Sequence, residues 1–245
     1  MSRSPREEPS LAQLEHFAAA ASVRGPHPMT EKQQRSQPCH RLYSAKANRV
    51  VMCRGQLKAD AVMMAEGDPD IATLCETPVR VMAPIGTMQH FTFDLATVRH
   101  ADSRETLYSV RWESQLVQTG DGRGVPLHWN AVEAWCGRNA IACRFLTDRD
   151  IGAAKTRVRN WRALLPLVRT AIQLPDPQLT DEIKELFEGP AMYSFAELPD
   201  QFPRYREPML EPIAARLLHI GYLDGALDDS DFSRHTRIRR RPVDA

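Results

Sequence analysis

Between Gln56 and Asp150 the apolar residues change their spacing in a fixed succession, which restricts the fold more than any other feature of the chain. From Gln56 to Glu66, Leu57, Met64 and Ala65 with Ala59 and Ala61 between them favour a helix, which Gly67 and Asp68-Pro69 end. Three extended stretches follow: Thr77–Met82 with β-branched Val79 and Val81, His90–Val98 with Phe91, Phe93 and Leu95 alternating, and Glu105–Trp112 with Tyr108, Val110 and Trp112 alternating. Ile85-Gly86-Thr87 marks a turn between the first two. After a Gly-rich turn at Gly120–Gly124, a helix is expected over Leu127–Arg138, a strand over Ala140–Leu146, and a helix after the start signal Thr147-Asp148. Helix, three strands, helix, strand reads as an α/β domain, a mixed sheet flanked by helices.

The flanks are different in kind. Residues 1–50 carry Pro5, Pro9, Pro26, Pro28 and Pro38 among many polar residues and read as a flexible arm, with one helix expected at Ser10–Ser22. The α/β block is expected over residues 51–153 and a C-terminal module over 154–245. In that module Val158, Trp161, Leu165, Val168 and Ile172 step by three and four, with Pro166 expected to kink that helix or start a second one. Leu174-Pro175-Asp176-Pro177 reads as a joint. Helices are expected over Thr180–Phe187, Ser194–Leu198, where Ser194 and Glu197 have capping-box spacing, and Pro208–Ile220, ending at Gly221. Tyr222-Leu223 and His235–Arg239 are expected to pair as a hairpin around the acidic loop Asp224–Asp231, so three helices and a two-stranded wing suggest a winged helix.

With 32 Lys and Arg against 31 Asp and Glu, net charge gives no indication of a nucleic-acid partner, and only local clusters can. No apolar run reaches the roughly 20 residues of a membrane span, so no membrane partner and a cytoplasmic location are expected. Cys39, Cys53, Cys75, Cys136 and Cys143 are odd in number and lack zinc spacing, which points to reduced and mostly buried thiols.

Metal-dependent nucleases of the PD-(D/E)xK type set an Asp at the start of one strand and an acidic or amide residue plus Lys, two apart, on the next. Residues i and i+2 of a strand share a face, so a metal ligand and a cation both reach the scissile phosphate. The corresponding segments here are Phe91-Thr92-Phe93-Asp94-Leu95 and Tyr108-Ser109-Val110-Arg111. A longer series surrounds them: Arg54-Gly55-Gln56-Leu57-Lys58-Ala59-Asp60, Asp68-Pro69-Asp70-Ile71, Glu76-Thr77-Pro78-Val79, then the two strand segments, then Thr147-Asp148. In order and gaps this series resembles TnsA, the endonuclease subunit of heteromeric transposases. The resemblance implies a PD-(D/E)xK restriction-endonuclease-like mixed sheet followed by an all-α winged-helix domain.

The departures from the TnsA pattern bear on activity. Arg54 stands at the helix glutamate and Lys58 at the neighbouring acid; Phe93 replaces the proline before Asp94; Ser109 stands for Glu or Gln and Arg111 for Lys. Serine is a weak ligand for a hard cation, and arginine's planar head does not substitute freely for an ammonium. Asp94 is the one carboxylate left in place, so the catalytic positions Asp94, Ser109 and Arg111 are read as degenerate and no cofactor is expected. In this inactive reading Arg111 takes the vacated metal position and pairs with Asp94. The competing reading is an active Mg²⁺ endonuclease, cutting the non-transferred strand at transposon ends, with Asp94 on the metal and Asp60, Glu66, Asp68 or Glu113 recruited beside it. The resemblance further implies double-stranded transposon-end DNA, a TnsB-like transposase and a TnsC-like AAA+ ATPase as partners in DNA recombination. A third reading is an adaptor that touches only protein.

Two basic clusters are candidates for DNA contact. Lys155, Arg159 and Arg162 share one face of the helix opposite its apolar stripe, and phosphate contact and a solvated face are equally open to them. Arg234, Arg237, Arg239, Arg240 and Arg241 crowd beside the expected wing, where backbone or minor-groove contact is geometrically natural. Trp129, Trp135 and Trp161 are assigned to the core, and His100, His128 and His219 to hydrogen-bonded core or surface positions rather than to catalysis.

Overall fold

The computed structural model of the chain describes residue 26 and residues 38–78, 80–81, 91–120 and 122–242. The helix expected at Ser10–Ser22 and the turn at Ile85-Gly86-Thr87 lie outside the described residues. The architecture is mixed α/β, with small sheets and seven α-helices among the described residues.

A hairpin comes first: β1 (Cys39–Ser44) pairs antiparallel with β2 (Arg49–Arg54), Ser44 opposite Arg49. This corrects the expectation that everything before residue 50 is arm. Val51 is fully buried and Cys53 nearly so against the following helix, while Arg49 on the other edge grips the buried carboxylate of Glu76 through both oxygens at 2.7 and 2.6 Å. Asn48, in the left-handed region at φ 50°, makes the turn, a conformation asparagine tolerates.

Helix α1 (Gln56–Glu66) has the expected bounds. The chain then enters β3 (Ile71–Glu76), six residues before the strand expected at Thr77–Met82; among the described residues of that range the only strand is the two-residue β4 (Arg80–Val81). The register of β3 slips between Ile71 and Thr73, so its buried residues Ile71 and Leu74 lie three apart. The bulge removes the period-two signature by which a strand is recognised. The expected His90–Val98 strand is divided into β5 (Phe91–Thr92), which pairs with β4, and β6 (Leu95–Arg99). Strand β7 (Glu105–Arg111) completes the meander.

The Gly-rich turn closes a small hairpin of β8 (Leu116–Gln118) and β9 (Gly124–Pro126), after which come α2 (Trp129–Arg138), β10 (Ala142–Thr147) and α3 (Asp148–Ala153). Thr147 caps α3, and the Asp150 carboxylate in turn accepts the Thr147 N–H at 2.8 Å. The main sheet has the order β10-β7-β6-β3, antiparallel except where β10 returns through α2 to lie parallel to β7. Both faces are covered. Phe93, Ala96 and Leu107 pack with Trp129, Val132, Trp135 and Cys136 of α2, while Leu74, Leu95 and Val110 face α1 and its neighbours.

Helix α4 (Lys155–Gln173) runs unbroken through Pro166. Pro166 is exposed, so the carbonyl left without a partner faces water, and the apolar face on the other side holds the helix together. Val158 and Leu165 join the α1 core, while Trp161, Leu164 and Val168 enter the C-terminal core, so α4 is the wall shared by the two. The joint before α5 (Pro177–Leu186) is a helix start, with Pro177 in its first turn and the Asp176 carboxylate accepting the Leu179 N–H at 2.9 Å.

Residues Ser194–Leu198 are not a helix. Met192–Ser194 form β11, and the short helix α6 begins at Leu198 and ends at Gln201. Glu197 does accept the Ser194 N–H at 2.7 Å, but the bond closes a turn that sends Phe195 and Leu198 into the core. Helix α7 (Glu207–His219) ends as expected: Gly221 takes φ 73°, and the N–H groups of Gly221 and Tyr222 return to the carbonyls of Leu218 and Leu217. Strands β12 (Leu223–Gly225) and β13 (Arg237–Arg240) pair as expected, but β11 adds to the other edge of β13, making this sheet three-stranded.

Candidate functional site

Asp94 sits where β5 gives way to β6, with its side chain only 4% exposed. Three backbone bonds fix the break: the Asp94 N–H donates to the Tyr108 carbonyl at 2.8 Å, its own carbonyl accepts from Thr77 at 2.9 Å, and the Val110 N–H donates to Oδ2 at 2.8 Å. The Arg111 guanidinium, at the end of β7, also reaches Oδ2 at 2.7 Å, and Lys58 of α1 pairs with Oδ1. Arg111 is steadied by the Val110 carbonyl at 2.8 Å and lies 5.7 Å from the centre of the Phe91 ring. The two oxygens of Asp94 are thus spent on two cations and an amide.

The donor set does not fit a hard divalent cation. Mg²⁺ takes carboxylate oxygens together with water, and here a metal would have to displace an ammonium and a guanidinium and lie beside both charges. Ser109 is fully buried, and its hydroxyl has no hydrogen-bond partner among the described residues. The other acids are engaged elsewhere: Asp60 with Arg162 and Gln56, and Glu66 with Ser44 and His219. Asp68 closes a turn onto the Asp70 N–H at 2.9 Å. Among the described residues no group of three or more His, Cys, Asp or Glu could hold a metal ion.

Arg54, expected on the helix at the glutamate position, instead ends β2 opposite Cys39, one residue before the glycine that precedes α1. The side chain that does reach Asp94 from the helix is Lys58. Its signal in the sequence is a lone cation on a short helix whose neighbours Ala59, Ala61 and Val62 are all buried.

A second buried constellation lies at the other end of α1. Glu66, fully buried, accepts a hydrogen bond from the Ser44 hydroxyl and meets Nε2 of His219 at 3.0 Å. Burial holds the His219 pKa below its ordinary 6.5, against the opposing pull of Glu66. Lys46, whose ammonium donates to the carbonyls of Asp68 and Ile71, is likewise lowered by burial, to about 8. Trp161 stacks edge-on to His219 at 5.5 Å and lies over Gly67, where an added Cβ would run into its ring. Nothing in the sequence signals the Glu66–His219 pair, since 153 residues separate its members.

The basic clusters are largely neutralised by acids remote in sequence. Arg159 pairs with Asp231, Arg162 with Asp60, Arg241 with Asp70 at 3.1 Å, and Arg239 approaches Asp224 at 3.8 Å. Arg234 spans Glu207 and Glu211, and Arg240 lies 3.5 Å over the Tyr222 ring. Lys155 and Arg237 are exposed without an ion pair among the described residues. No family model matches the chain, and no curated protein matches it. Among the described residues no helix is long and apolar enough to cross a membrane.

Proposed function

We propose that the chain is a TnsA-like subunit of a DNA transposition complex that binds transposon-end DNA and bridges a TnsB-like transposase and a TnsC-like AAA+ ATPase, without cutting DNA itself. The observation that carries the loss of cleavage is the clamp on Asp94 by Lys58 and Arg111. A centre that should gather anionic ligands around a cation instead gathers cations around one anion. The order α1, β3, β6, β7, α2, β10, with β10 parallel to β7, supports a PD-(D/E)xK reading of the domain. Helix α7 followed by the β11-β13-β12 sheet supports a winged-helix reading of the C-terminal part.

DNA contact is compatible with the paired arginines. Exposed ion pairs contribute only about 0–1 kcal/mol each, so a phosphate can take Arg159, Arg239 or Arg241 from its carboxylate at little cost. The test is incubation of the protein, alone and with its transposase, with end DNA and Mg²⁺ or Mn²⁺. No strand breaks above background are expected; metal-dependent breaks abolished by Asp94→Ala would establish an active nuclease instead.

A second reading, an adaptor that touches only protein, is favoured by the same internal pairing of the basic clusters. Binding to end DNA that weakens steeply with salt, with a shallower slope when Arg237 and Arg239 are changed to Ala, would exclude it; absence of any salt-sensitive binding would support it.

A further inference from the structure

Two thiols meet on the face of the main sheet covered by α2. Cys136 lies in the last turn of α2 and is 1% exposed; Cys143 is the second residue of β10. The connection between them is short, and the Ile141 N–H donates to the Cys136 carbonyl at 3.0 Å, which folds β10 back against the end of the helix. Register settles which way Cys143 points. It is the partner of Leu107 on β7, a fully buried member of the core beneath α2, and Phe145, two residues on, stacks edge-on against Trp129 of α2 at 5.2 Å. Cys143 and Phe145 therefore share the α2 face, where both pack against the core cluster that contains Cys136.

We propose that Cys136 and Cys143 form a reversible intramolecular disulfide when the protein meets a low-molecular-weight disulfide of the glutathione class. The two sulfurs are unequal partners. Cys143 is the more exposed of the two and the one a small disulfide can reach, and the neighbouring Cys136 lowers its pKa against the opposing effect of burial, so it is the thiolate that attacks. Cys136 is raised by the neighbouring Cys143 and by burial, which keeps it protonated until it is needed. Cys53 and Cys75 are pushed up by burial to about 12 and about 11, and neither is assigned a role.

The chemistry balances in two exchanges. The Cys143 thiolate attacks one sulfur of the small disulfide, forming a mixed disulfide and releasing one small thiolate. That thiolate or solvent takes the Cys136 proton; Cys136 then attacks the Cys143 sulfur, breaks the mixed disulfide and releases the second small thiol. Two protein thiols are oxidised by two electrons and one small disulfide is reduced to two thiols. The product ties the end of α2 to β10, the strand paired with the one that carries Ser109 and Arg111.

The test uses the full chain, folded and reduced, incubated with oxidised glutathione and mapped by mass spectrometry under non-reducing conditions. Expected is a crosslinked species containing both Cys136 and Cys143, two hydrogens lighter and without a retained adduct at either, reversed by dithiothreitol. Cys136→Ser should instead accumulate a glutathione adduct on Cys143, and Cys143→Ser should leave Cys136 reduced. If the buried Cys136→Ser variant does not fold, wild type and Cys143→Ser decide. Wild-type protein that keeps an adduct on Cys143, leaves both thiols free while exposed Cys39 reacts, or crosslinks other cysteines overturns the proposal.

Discussion

Helix α1 carries a buried ionisable constellation at each end, and the two are compensated by opposite means. Near its start, Lys58 helps Arg111 surround Asp94, so one carboxylate faces two cations and an amide. At its last residue, Glu66 is compensated by a serine hydroxyl and a buried imidazole. A carboxylate held by two cations is a charged cluster whose oxygens are already engaged. A carboxylate held by neutral donors and a titratable ring is a structural joint, here between the α1 core and the C-terminal core. The first bears on chemistry at the end of β7, and the second on the pH dependence of the fold.

Substitutions separate the two. Asp94→Asn keeps the shape but leaves two cations facing an amide; removing one partner of a buried pair costs about 3–5 kcal/mol, and the partly exposed Lys58 and Arg111 place this change at the lower end. Chemical denaturation measures it, and a loss under about 1 kcal/mol would show that the clamp is solvated rather than buried. Gly67→Ala forces a methyl group into the Trp161 ring, and overpacking of this kind costs about 1–3 kcal/mol, read as a lower melting midpoint. Glu66→Gln retains hydrogen-bonding atoms for Ser44 and His219 and should cost about 1 kcal/mol, less than Asp94→Asn. The reverse ranking would dissolve the distinction between the two ends of α1.

The smallest effect expected is one of pH. Because burial depresses the His219 pKa in the folded protein, the unfolded chain takes up the proton more readily once pH falls below about 6.5. Stability from this group is present above that pH and is lost as pH falls through the lower folded value. Denaturation midpoints compared at about pH 8 and about pH 5 should converge between wild type and His219→Gln as the solution is acidified. A difference that stays constant would show that His219 does not titrate in that window.

Much of the order of elements was legible because local signals agreed: α1, β7, α2, the Thr147 cap and the Gly221 stop all lie where spacing and capping put them. β3 was missed because its bulge breaks alternation, and β11 because Ser194 and Glu197 make the same bond in a turn as in a helix cap. Hairpin β1–β2 was hidden among the polar residues of the N-terminal region, although Val50–Cys53 is an unbroken apolar run.

The sequence by itself determined which residue types stand around Asp94, and that Arg111 lies two strand positions from Ser109. That is a matter of identity and of period two, which a chain carries locally. Only the tertiary structure decided that Lys58 rather than Arg54 completes the clamp, that Glu66 meets His219, and that the arginines of α4 and Arg241 after β13 find Asp60, Asp70, Asp228 and Asp231. Such pairings depend on which surfaces are brought within a few ångströms by packing around α4. Coulomb attraction and desolvation act on distance in space, to which separation along the chain is no guide.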